Sequence, residues 1–251
     1  MSPATFLVCA LLVLVFSGLM AMAGLGAAFL FVPLFYYLGV PLAEAAPAGL
    51  LLNAVSLSLA SVSYWRGGLV DRRVVLPLLV TGVAFAPMGA RLTPLVDRRV
   101  LLGLFAAFLA FAGFMMLRRH AGARGQALGR VGTAAAGLGV GGAAGFLGGL
   151  LGVGGGNFIL PVLTWVGLDA KVAAGTTAVV VLFSSLSGFL GHATLGGLDR
   201  TFLSATALMA AAGSAVGSKL MKTRVSSLQL KKVIGGVLWL IAAKMAFDAM
   251  K

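Results

Sequence analysis

The chain has 251 residues, 60% of them hydrophobic and 10% charged, with a mean hydropathy of +1.07. So little charge excludes an ordinary soluble core, where about a quarter of residues are charged, and places the chain among polytopic membrane proteins. The formal net charge of +13 would suggest nucleic acid in a soluble protein, but the basic residues stand in short clusters between apolar runs, where orientation in a lipid bilayer accounts for them and no nucleic-acid partner is expected.

Apolar segments run from residues 4 to 22, 26 to 40, 47 to 65, 74 to 90 and 100 to 117, then from 131 to 151, 153 to 168, 172 to 192, 200 to 218 and 233 to 250. The first ends in Ala21-Met22-Ala23, which imitates a signal-peptide cleavage site. No basic residue precedes it and its repeat partner is internal, so it is expected to be retained. A crossing helix needs about 20 residues. The second segment of each half is nearer 16 and contains a proline, which predicts a tilted, broken or re-entrant piece. Asp71, Asp97 and Asp199 each precede a basic residue and a new apolar run, as helix N-caps do. Lys244 and Asp248, four apart in the last segment, can neutralise one another.

The most informative stretch is GFLGGLLGVGGGNFILPVL, from Gly145 to Leu163. Glycine costs about 1 kcal/mol relative to alanine inside a helix, so Gly154, Gly155 and Gly156 predict an interruption. An earlier copy, AGLGAAFLFVPLF from Ala23 to Phe35, lies 128 residues upstream. The same offset carries Gly24 onto Gly152, Pro33 onto Pro161, Gly39 onto Gly167, Ser56 onto Ser184, Asp71 onto Asp199 and Gly89 onto Gly217. One unit is duplicated. In the first copy Ala27 and Ala28 replace two of the glycines, so that copy is expected to tolerate substitution better.

Here the sequence resembles the sulfite exporter TauE/SafE family of membrane transporters, in which a glycine cluster followed by a proline opens each of two repeats. GVGGGNFILPVL and the downstream AAGTTAVVVLFSSLSGFLGH fit that pattern. The resemblance implies a secondary transporter, an exporter of a small sulfur-containing anion such as sulfite or an organosulfonate.

Counting charges separates two topologies. A chain that passes straight through each break divides its cations evenly between the two faces. A chain that doubles back there gathers Arg66, Arg72, Arg73, Arg118, Arg119, Arg124, Arg130, Lys171, Lys219, Lys222, Arg224, Lys231 and Lys232 on one face, against Arg91, Arg98, Arg99, Arg200 and Lys251 on the other. The second arrangement obeys the positive-inside rule. It predicts an all-α, multi-pass protein of a cell membrane, with a bacterial inner membrane as the expected location. Residues 1–117 and 131–251 form two inverted repeats of about five segments each, with glycine-broken helices. Residues 118–130 form a cytoplasmic basic linker, and both termini lie outside.

Broken helices in inverted repeats hold substrates near the bilayer midplane. Freed amides at Gly154, Gly155, Gly156 and Asn157, at the positive end of a helix, suit an anion. On the next segment Thr177, Ser184, Gly188 and His192 share a stripe, and Asn53 and Ser56 lie on the matching stripe of the first copy. Thr176, Thr177, Ser184, Asn53 and Ser56 therefore join the candidate substrate ligands, and His192 is a candidate gate or proton-coupling group. The alternative is an integral membrane redox or assembly subunit. Two histidines, one cysteine and no mid-segment carboxylate leave such a subunit, or any enzyme, little to work with. No cofactor or metal is expected.

Overall fold

A computed structural model describes residues 3–22, 26–117, 130–192, 200–220 and 227–250. The first half comprises α1 (Pro3–Met22), α2 (Ala28–Tyr37), α3 (Leu42–Arg66), α4 (Arg72–Leu92), a 3-10 turn (Thr93–Leu95) and α5 (Arg98–Leu117). The second comprises α6 (Arg130–Leu151), α7 (Gly156–Trp165), α8 (Ala170–Gly191), α9 (Arg200–Leu220) and α10 (Ser227–Ala249). The 128-residue offset carries the starts of α2, α3 and α4 onto those of α7, α8 and α9 without slippage. The protein is a helical membrane protein. Segments Glu44–Arg66, Arg72–Leu95 and Lys171–Gly191 are the described stretches that satisfy both the length and the hydropathy of a crossing.

Side-chain neighbours fix the helix directions. Asn53 of α3 meets Ser185 of α8, while Leu50 approaches Gly188, so these repeat-related helices run antiparallel and the two halves are inverted. By contrast, α4 runs parallel to α6, with Pro77 beside Gly137, Gly82 against Gly145 and Gly89 against Phe146. The counterpart seam joins α1 to α9, where Leu14 meets Gly213 and Gly18 meets Gly217. A Cβ at Gly89 would run into the Phe146 carbonyl, and one at Gly217 into the Gly18 carbonyl; these contacts are repeat equivalents. Glycine is kept inside these helices because the backbones touch there.

The half-helices α2 and α7 have ten residues each, about 15 Å, half the depth of a bilayer core. Pro33 and Pro161 lie within them, so the chain is broken by the glycines before each proline and not by the proline itself. Residues Ala28 to Pro33 and Phe35 of α2 are fully buried in an aromatic-rich core that includes Phe105, Phe108 and Phe202. Leu7, Leu76, Val80, Leu190, Leu208 and Leu240 are exposed on the outer faces, the surface that lipid would cover. Asp71 and Asp97 cap α4 and α5 by accepting the Arg73 and Arg99 N–H groups, and Asp169 does the same for α8. Asp199 lies outside the described residues, as does the linker 118–129. Lys244 and Asp248 approach to 3.7 Å, as their spacing suggested.

Candidate functional site

The second break is a tight reversal. After α6, the Val153 N–H donates to the Gly148 carbonyl at 2.8 Å and the Gly154 N–H to the same oxygen at 3.3 Å. Gly154 and Gly155 then take φ values of 73° and 74°, a left-handed conformation that side chains resist. Space is also closed: a Cβ at Gly154 would sit 2.6 Å from Asn53 Nδ2, and one at Gly155 would strike the Ala144 carbonyl. Gly155, which has no side chain of its own, is the N-cap of α7, and among the described residues no side chain from a neighbouring helix accepts from the Gly156 or Asn157 N–H in the way that Asn53 accepts from Ala28. The amides of Gly156 and Asn157 therefore open a half-helix whose positive dipole end faces inward. Asn157 is 5% exposed, and because Pro161 has no N–H the Asn157 carbonyl lacks its helical donor.

The first break is built from different parts. Asn53, fully buried in the middle of α3, accepts the Ala28 N–H at Oδ1 (3.3 Å) and donates from Nδ2 to Ser185 Oγ at 2.9 Å. Its amide thus caps α2 from a neighbouring helix. The residue 128 positions on is Val181, which cannot cap anything. Ala27 and Ala28 are fully buried and Phe29 nearly so, so added bulk in this copy meets a packed core even without the left-handed glycines of the second.

Gly154, Asn53 and Ser184 come together where α3 crosses α8, with the Ser184 hydroxyl donating to the Gly154 and Val181 carbonyls at 3.3 Å each. Ser185, which stripe spacing did not single out, joins them. Ser56 lies about one turn along α3 from Asn53; its hydroxyl has no partner among the described residues, and its carbonyl accepts from the Ser214 hydroxyl. Thr177 is buried without a partner, seven residues and about 10 Å along α8 from Ser184. Thr176 stands apart from this crossing: its Oγ1 accepts the Asp71 N–H at 3.0 Å and so ties α8 to the start of α4.

A second repeat-related pair flanks the breaks. The Tyr64 hydroxyl, at the end of α3, donates to the Ala21 carbonyl near the end of α1. At the matching position His192, just past α8, bonds the backbone of Gly149, the repeat partner of Ala21. Burial lowers the His192 imidazole below its ordinary value, with the Gly149 bond opposing, and its Nε2 has no partner among the described residues. The equivalence was legible in the 128-residue offset.

Among the described residues no cluster of three or more His, Cys, Asp or Glu could hold a metal ion. The groups at the breaks are neutral donors and acceptors, suited to holding an anion without a fixed countercharge. The family profile described as sulfite exporter TauE/SafE matches residues 9–245. Two Arabidopsis thaliana proteins, "Sulfite exporter TauE/SafE family protein 2" and "Sulfite exporter TauE/SafE family protein 1", are each 38% identical over 79 residues. Those stretches cover 32% of this chain but only 17% and 18% of the two relatives. No solved structure matches. With its profile match spanning nearly the whole sequence and its two glycine-broken repeats, the chain belongs to the TauE/SafE sulfite exporter family of integral membrane transporters.

Proposed function

We propose that the protein is a secondary transporter that exports a small sulfur-containing anion, such as sulfite or an organosulfonate, across a bacterial inner membrane. The observation that carries this reading is the uncapped N-terminus of α7, set among buried hydroxyls and amides, beside an otherwise similar half-helix whose N-terminus is capped by Asn53. The anion binds the Gly155, Gly156 and Asn157 amides, with Ser184 beside them. The end of a helix carries roughly half a positive charge, enough to replace part of the hydration shell. Neutral donors on a fixed backbone compensate desolvation without trapping the ion as a buried lysine would. Thr177 and Ser56, buried hydroxyls without partners, mark the path to either side.

The test is uptake of labelled sulfite, sulfate and methanesulfonate into proteoliposomes, with and without a proton gradient. Sulfite or sulfonate flux that disappears in Gly155→Val, in protein that inserts normally, is the expected result. Flux that persists in that variant, or its complete absence in the unaltered protein, refutes the assignment.

A further inference from the structure

On the face that carries the C-terminal end of α10, a cleft of about 890 Å³ opens between the ends of α2 and α10 and the starts of α3 and α5. Arg98, Lys244, Asp248, Tyr36 and Tyr37 line it, and Thr93 lies in its wall. The repeat equivalents of Tyr36 and Arg98 are Thr164 and Ser226, so the duplication did not copy this Arg–Tyr pair to the equivalent positions.

Its charges are unequally matched. Asp248 is in direct contact with Lys244 at 3.7 Å and with the Tyr37 hydroxyl at 3.3 Å and attracts Arg98 only from farther off, while the Lys244 ammonium also stands 4.5 Å above the Tyr37 ring. Asp97, next to Arg98 in sequence, is engaged in capping α5 through the Arg99 N–H at 2.7 Å. Arg98 donates through Nη2 to the Tyr36 hydroxyl at 2.6 Å, a neutral partner that uses one of its five N–H groups. Tyr36 accepts that bond and keeps its own O–H for donation. The pair therefore offers a guanidinium edge and a polarised phenol hydroxyl within one cleft, which matches an oxyanion or sulfonate with two or three oxygens.

The wall of the cleft leads toward the second break. Thr93, almost fully buried, donates from Oγ1 to the Leu150 carbonyl at 2.9 Å, two residues before Gly152. Leu42, another lining residue, is one helical turn from Ala46, whose backbone meets Gly152. We infer that the Arg98–Tyr36 pair is a second anion site, an antechamber that takes the same class of small sulfur oxyanion or sulfonate at the mouth of the protein. Its place on a transport path rests on the proposed function; its binding chemistry does not.

The experiment is calorimetric titration of purified protein with sulfite at constant ionic strength, in four forms: unaltered, Gly155→Val, Arg98→Gln, and both changes together. Gly155→Val is expected to keep one binding event that Arg98→Gln weakens by about tenfold or more, with Arg98→Lys intermediate because it keeps charge but loses the planar fork. Tyr36→Phe, which removes only a hydroxyl, should weaken the same event by about threefold. In proteoliposomes Arg98→Gln should raise the sulfite KM from that face and leave the maximal rate intact. Binding that is unchanged by Arg98→Gln in both backgrounds overturns the site. So does displacement of sulfite by phosphatidylglycerol at equimolar amounts, which would assign the pair to a lipid headgroup. If the unaltered protein carries no sulfite yet Gly155→Val still binds it through Arg98, the transport assignment falls and this site stands.

Discussion

The two breaks occupy equivalent places in an inverted pair of repeats, yet they are finished differently. At the first, Asn53 reaches across from α3 and occupies the end of α2. At the second, Val181 replaces that asparagine, three glycines take left-handed conformations, and α7 begins without a side-chain cap. A polar group that satisfies a helix end from within also excludes a ligand from it. Duplication thus supplied two equivalent helix ends, and the drift of a few residues closed one of them with a side chain; on the function proposed above, the other is the one left for an anion.

The strongest way to break this comparison is to fill the open end. Gly155→Val should abolish sulfite flux, by more than about a hundredfold in the fraction that still inserts, because a side chain that cannot fit beside the Ala144 carbonyl at a left-handed φ displaces the amides that open α7. The matching change at the first break, Ala27→Val, should instead reduce the yield of folded protein, read by size-exclusion chromatography in detergent, since Ala27 is fully buried. Val181→Asn sharpens the point. It places an amide where Asn53 stands in the other copy, and is expected to cut flux about tenfold with folding preserved, as an internal cap competes with substrate.

Removing the existing cap has a smaller effect, and on stability. Asn53→Ala leaves the Ala28 N–H unsatisfied in a buried place and should lower thermal stability by about 1–3 kcal/mol. At the flanking latches the difference is one of titration. The His192 pKa is depressed in the folded protein, so the neutral ring is favoured: its contribution is complete above the ordinary histidine value and is lost as pH falls below it. His192→Tyr copies the first repeat and should flatten the transport–pH profile below about pH 6.5. A profile unchanged by that substitution removes His192 from any gating role. The smallest effect is expected at Thr176→Val, which loses one bond to the Asp71 N–H; about 1 kcal/mol of stability should go while the sulfite KM stays the same.

Much of the fold was legible because it is periodic. The short second segments, the aspartate caps at Asp71 and Asp97 and the Lys244–Asp248 pair all follow from local spacing. The site was legible only in part. Spacing along one helix grouped Ser184 with Thr177 but said nothing of Ser185, which joins Asn53 because α3 crosses α8 at that level. Thr176 looked like a ligand beside Thr177; its partner, Asp71, comes from the other half of the chain through an inverted packing that no local pattern encodes. The Arg98–Tyr36 pair joins residues 62 apart on two helix ends, and neither has a counterpart in the other repeat to draw attention to it.

The exchange of helices between halves limits how the protein can move. Each half sends its first helix alongside the fourth helix of the other, through seams where backbone touches backbone: α1 on α9 and α4 on α6. A seesaw of one half against the other would have to open both seams at once, exposing glycine-lined backbone along their length. The moving part is therefore not a contiguous stretch of sequence. In the transport cycle proposed above, access would switch through smaller pieces that shift while both seams stay closed. The half-helix α7 is the better placed for this, held at one end by its glycine break and at the other by a short turn through Gly167, whereas α2 is packed into the aromatic core and tied to Asn53.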